Sequence, residues 1–92
     1  MVQRRLEMDI HGRVQGVGFR WYAEGLAREL GLTGYVRNMP HGDVEFVAEG
    51  DEERLERARS GLMRGPALAR VSGADVRLDD ATGEFSDFRI RF

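Results

Sequence analysis

The chain has 92 residues, 41% hydrophobic and 33% charged, which supports one domain over 1–92 with one modest core and excludes a disordered chain. Its 14 basic and 16 acidic side chains leave a formal charge of -2, so no global field draws it toward nucleic acid or an anionic membrane, and any anion site must be local. The lack of cysteine excludes disulfides, thiolate nucleophiles and Cys-bound metals together, and with Arg4, Arg5, Glu7 and Asp9 interrupting any early apolar run the expected location is the cytoplasm.

Leu6, Met8 and Ile10 alternate with Glu7, Asp9 and His11, the period-two pattern of a strand with one buried face. After a glycine-bearing stretch, Phe19, Tyr22, Ala23, Leu26, Ala27 and Leu30 recur at helical spacing, and Gly31 ends that helix. Thr33 to Asn38 and Asp43 to Glu49 read as two strands joined by a turn at Met39, Pro40, His41 and Gly42. Asp51 is the natural N-cap of a second helix with Leu55, Ala58 and Leu62 inward, closing near Gly61 or Gly65-Pro66. Alternation returns at Ala74, Val76 and Leu78, and again at Phe88, Ile90 and Phe92, with a turn-rich connection from Asp79 to Gly83. The resulting β-α-β-β-α-β string, with a short final strand, predicts an α+β ferredoxin-like sandwich: an antiparallel sheet with two helices on one face.

The segment from Gly12 to Arg20 joins a strand to a helix and carries Gly16 and Gly18, whose backbone freedom suits a concave cradle of N–H groups for an anion. The two helix starts differ. The second has Asp51, Glu52 and Glu53, whereas the first opens Phe19, Arg20, Trp21, Tyr22 with no capping side chain and a cation at the positive end of its dipole. That arrangement is unfavourable until an anion arrives, although the same glycines could simply make a tight connection with Arg20 directed at solvent or a carboxylate. Val14 to Arg20 keeps the Cys-x5-Arg spacing of cysteine phosphatases, but Val14 stands at the nucleophile position, so an enzyme built here must direct water at phosphorus. Asn38, just before the turn, offers donors and an acceptor to a site, or starts the turn.

Gly12-Arg13-Val14-Gln15-Gly16-Val17-Gly18-Phe19-Arg20 and Gly34-Tyr35-Val36-Arg37-Asn38, followed by Gly42-Asp43-Val44-Glu45, closely resemble the acylphosphatase family from about Leu6 to the C-terminus. Gly65-Pro66 and the Phe-x-Ile ending add weaker support. The resemblance implies a ferredoxin-like fold and hydrolysis of acyl phosphates to a carboxylate and inorganic phosphate. It places the phosphate in the backbone cradle of Gln15, Gly16, Val17, Gly18, Phe19 and Arg20, makes Arg20 the catalytic guanidinium, and has Asn38 position the attacking water. Departures fall in loops: His41 stands where relatives more often carry Asp or Asn, and the stretch from Ala81 to Asp87 lacks a proline that many relatives have.

The expected mechanism is direct water attack without metal or cofactor, on a small acyl phosphate, by a monomer without nucleic-acid or membrane partners. His11 and His41 are read as non-catalytic, one on the polar side of a strand and one in a turn, and so placed they make a zinc site unexpected. Tyr22 belongs to the apolar helix face, and Trp21 remains unassigned. Two rivals share this layout. One is a phosphate or carbamoyl-phosphate binding module resembling the acylphosphatase-like domain of hydrogenase maturation proteins. The other is an RNA-binding domain, disfavoured by few strand aromatics and negative charge.

Overall fold

In the computed structural model, which describes residues 2–92, the elements run β1 (Gln3–Arg13), α1 (Phe19–Glu29), β2 (Thr33–Asn38), β3 (Val44–Asp51), α2 (Glu52–Arg64), β4 (Arg70–Asp80) and β5 (Phe88–Arg91). Met1, within the single domain expected over 1–92, lies outside the described residues.

Alternation in β1 sends Leu6, Met8 and Ile10 to one face, and the register repeats this choice across the sheet. Leu6 lies opposite Ala48 and Leu78, Met8 opposite Phe46 and Val76, and Ile10 opposite Val44 and Ala74. The strand order is β4-β1-β3-β2-β5. Phe19, Ala23 and Ala27 of α1 and Leu55, Ala58 and Leu62 of α2 close over this apolar face, where Phe46 and Phe88 meet with ring centroids 5.3 Å apart. α1 closes where expected, Gly31 N–H donating to Arg28 O at 3.0 Å and Leu32 N–H to Ala27 O at 2.9 Å, the two bonds of a Schellman ending.

The first four strands pair antiparallel, as the string predicts, but β5 runs parallel to β2, so the sheet is mixed. The cause is the path of residues 81–87 across the open sheet face. Glu49, 4% exposed, accepts the backbone N–H groups of Thr82 and Gly83, each at 2.9 Å, the Thr82 hydroxyl at 3.0 Å and Arg5 Nη1 at 3.2 Å. Burial alone would raise the Glu49 pKa, but these donors outweigh it and hold the carboxyl below its ordinary value. Chain crossing on this clasp arrives at the start of β2, where Gly34 N–H donates to Asp87 O at 2.9 Å, and can only continue alongside β2.

Other boundaries also shift from the sequence pattern, β3 running Val44–Asp51 where the pattern gives Asp43 to Glu49. β4 begins at Arg70, earlier than its alternation, because Arg70 and Val71 pair with Arg13 and Gly12 across a bulge after His11. At the other end, Phe92 lies beyond β5 with its ring fully exposed, outside the buried series that Phe88 begins.

Candidate active site

The loop from β1 to α1 is held at both ends by the core: Val14 and Phe19 are each 1% exposed. Between them Gly16 and Gly18 have φ of 74° and 77°, and a Cβ added at either would meet nothing within 4 Å. Backbone conformation, not crowding, therefore calls for glycine here, and the space beside it is open.

Gly18 is the N-cap of α1 and supplies no side chain; the first helical bond is Tyr22 N–H to Gly18 O, 3.1 Å. The N–H groups of Phe19, Arg20 and Trp21 precede that bond and have no partner within the helix. α2 is treated oppositely. Asp51 Oδ1 accepts the Arg54 N–H at 2.9 Å, and Glu52 and Glu53 occupy the first turn. The uncapped start opens on a hollow of about 110 Å³ lined by Val14, Gly16, Gly18, Phe19, Arg20, Trp21 and Asn38.

Asn38 ends β2 on the face shared with buried Gly34 and Val36, which turns it toward the helices. The turn after it is closed by Met39 N–H to Asp43 O at 2.8 Å and Gly42 N–H to Met39 O at 3.1 Å, so the main chain makes the turn. Asn38 Oδ1 is buried with no hydrogen-bond partner. An unpaired buried acceptor is costly unless a ligand completes it, and Asn38 is one of the residues that line the hollow. Arg20, in the same wall, has no salt bridge among the described residues, and its guanidinium carbon lies 4.8 Å from the centroid of the Phe92 ring.

Of the expected cradle, Gly16, Gly18, Phe19 and Arg20 line the hollow together with Asn38. Val17 packs against the core. The Gln15 side chain faces elsewhere: Nε2 donates to Met39 O and Asp43 O, both at 2.8 Å, tying the loop to the β2–β3 turn. That tether joins the two motifs read from the sequence, and spacing carries no sign of it because it depends on the β1–β3 register. Tyr22 falls on the packed face, with its hydroxyl donating to Gly61 O at 2.7 Å, whereas Trp21 stands 80% exposed at the rim.

His11 and His41 meet on one carboxylate. Asp43 Oδ2 lies 2.8 Å from His11 Nδ1 and 3.0 Å from His41 Nε2, and Asp75 Oδ2 lies 3.1 Å from His11 Nε2. The hydrogen bond with Asp43 is the main cause that raises the His11 pKa. Burial, then contact with Asp43, raises that of Asp9. Asp9, His11 and Asp43 are the set among the described residues whose ligand atoms, within 4.8 Å of one another, could gather a cation. Asp9 and His11 alternate with the core residues of β1, so this set belongs to the open sheet face, not to the hollow.

A larger hollow, about 670 Å³, lies beside Val2, Arg4 and the start of α2, where Asp51, Glu52 and Glu53 oppose an anion. The open sheet face carries few free aromatic rings. Its Tyr35 ring is already covered by Arg91, 3.8 Å from guanidinium carbon to centroid, and by Phe85, while Phe46 and Phe88 are buried on the other side. No described helix is long and apolar enough to cross a membrane.

Two helices on one face of a five-stranded sheet, with an anion-sized hollow at the uncapped start of the first, define a ferredoxin-like sandwich with a site suited to a phosphate group. The Acylphosphatase family model matches residues 6–90. An acylphosphatase of Methylococcus capsulatus is 52% identical over 87 residues, 95% of each chain. Among solved structures, an acylphosphatase from Coxiella burnetii matches with a TM-score of 0.90 at 38% identity, covering 98% of this chain and 94% of that one. Full-length HypF in its phosphate- and nucleotide-bound form matches 98% of this chain with a TM-score of 0.86 at 27% identity, but the match spans 12% of HypF. The chain belongs to the acylphosphatase family.

Proposed function

We propose that this hydrolase of the acylphosphatase family splits the carboxyl-phosphate bond of small acyl phosphates by direct attack of water on phosphorus. The orphaned Oδ1 of Asn38, a residue lining the same hollow as Arg20 and the start of α1, carries the reading. Phosphoryl oxygens bind the cradle from Gln15 to Arg20, through its backbone, and the Arg20 guanidinium, which neutralise charge and hold the group for in-line displacement. Asn38 accepts a hydrogen bond from the attacking water and fixes its direction. As the water oxygen bonds to phosphorus, the bond to the carboxylate oxygen breaks, and the water proton passes to a phosphoryl oxygen of the substrate.

The leaving carboxylate has a conjugate acid of pKa about 4, so its departure needs no general acid at neutral pH, and the scheme asks for no metal or cofactor. Neither histidine takes part, which agrees with their commitment to Asp43. The same reading has the chain acting as a cytoplasmic monomer, without nucleic-acid or membrane partners; equilibrium sedimentation and cell fractionation test this.

Hydrolysis of benzoyl phosphate with EDTA present tests the function. The expected result is turnover of benzoyl phosphate, none of a stable phosphate monoester, competitive inhibition by inorganic phosphate, and a pH profile set by substrate ionisation alone. A folded protein that binds phosphate without turnover would favour a phosphate or carbamoyl-phosphate binding module, the reading that the HypF match leaves in view.

A further inference from the structure

The hollow is too small for a whole acyl phosphate of any bulk. Its volume of about 110 Å³ suits a phosphoryl group, so the acyl portion must extend past the rim. Trp21 is the rim residue with surface to spare. It is 80% exposed, it is the one large exposed apolar side chain lining this hollow, and it follows Arg20 directly in the chain. Its neighbour Tyr22 shows what an employed aromatic looks like in this helix, half-buried, edge-on to Phe19 with centroids 6.2 Å apart, and hydrogen-bonded to Gly61 O. Trp21 lies outside the hydrophobic core, and among the described residues no ring or cation stacks on it.

An indole left in water beside an anion site presents a flat apolar face and an N–H donor, an arrangement suited to a ligand with a charged end and a flat apolar end. We propose that Trp21 is the acyl-group subsite and that it selects aryl-acyl phosphates over short aliphatic ones. The inference rests on the hollow being the phosphoryl site. In a benzoyl phosphate the ring is conjugated to the carbonyl and therefore flat, and with the phosphoryl group in the hollow it would lie against the indole, whereas the methyl of acetyl phosphate covers little of it. A contact of this kind, equal in ground and transition states, acts on KM.

The test compares kcat/KM for benzoyl phosphate and acetyl phosphate in wild type, Trp21→Ala and Trp21→Phe. The benzoyl-to-acetyl ratio should fall roughly three- to tenfold in Trp21→Ala, the size of a lost aromatic pair, mainly through the benzoyl KM, and return most of the way in Trp21→Phe. Trp21 is also the sole tryptophan of the chain, so its fluorescence reports the contact without catalysis. Benzoylphosphonate should change the emission saturably, while inorganic phosphate at saturating concentration should change it much less. An unmoved selectivity ratio, or emission indifferent to benzoylphosphonate, would overturn the subsite. Absence of wild-type turnover on both substrates would instead defeat the functional reading, and the titration would then decide the subsite alone.

Discussion

The two helices pack on the same sheet, yet their first turns are built to opposite plans. α2 meets its own needs: Asp51 caps it, and Glu52 and Glu53 complement the dipole. α1 begins on a glycine with no side-chain cap, no acidic residue and a cation in the first turn. A helix start left incomplete in a protein that caps its other helix well has N–H groups free for a ligand, and the unpaired Asn38 Oδ1 is a second unmet polar group near it, which together motivate the proposed site.

Removing the groups of the open start should have the largest effect. Arg20→Ala and Asn38→Ala are each expected to lower kcat/KM for benzoyl phosphate by roughly a hundredfold or more, as preorganised electrostatic and positioning groups do. The ligand-free Arg20→Ala protein should stay within about 0.5 kcal/mol of wild type in urea unfolding, since relief at the positive end of the dipole offsets the lost contact with Phe92. Near-normal activity in both variants would remove the site from α1. At the closed start the expectation reverses: Asp51→Ala should cost about 1 kcal/mol of stability, read as a lower urea midpoint, while kcat stays at the wild-type value. A loss of activity at unchanged stability would break the contrast.

The smallest effect concerns the two histidines that meet on Asp43. The folded-state pKa of His11 is raised above the ordinary 6.5, chiefly by the hydrogen bond with Asp43. Protonated His11 therefore stabilises the fold fully below that value, and its contribution is lost as pH rises through the raised pKa. The gap in urea midpoint between wild type and His11→Gln should be widest below the ordinary histidine pKa and narrow as pH rises through the raised one, with activity retained in both. A gap that widened toward alkaline pH would mean that neutral His11 makes the stabilising contact.

Much of this was legible because the informative signals were local. Alternation at Leu6, Met8 and Ile10, helical spacing from Phe19 to Leu30, the Gly31 ending and the Asp51 cap each depend on neighbours a few residues away. So did the contrast between the helix starts, and with it Gly16, Gly18 and Arg20. Asn38 required the family resemblance, since by itself it reads first as a turn former. Register-dependent features were not legible. The parallel pairing of β5 follows from Glu49 clasping Thr82 and Gly83, and the meeting of His11 and His41 on Asp43 follows from β1 lying beside β3. The early start of β4 depends on pairing across a bulge that no pattern within Arg70 to Gly73 announces.

Whether water reaches phosphorus at the open start of α1 is decided by hydrolysis of benzoyl phosphate in heavy-oxygen water with EDTA present. Heavy oxygen is expected in the inorganic phosphate and none in the benzoate, with the rate of labelling falling in Asn38→Ala. Label in the benzoate would mean attack at the acyl carbon and would contradict the mechanism.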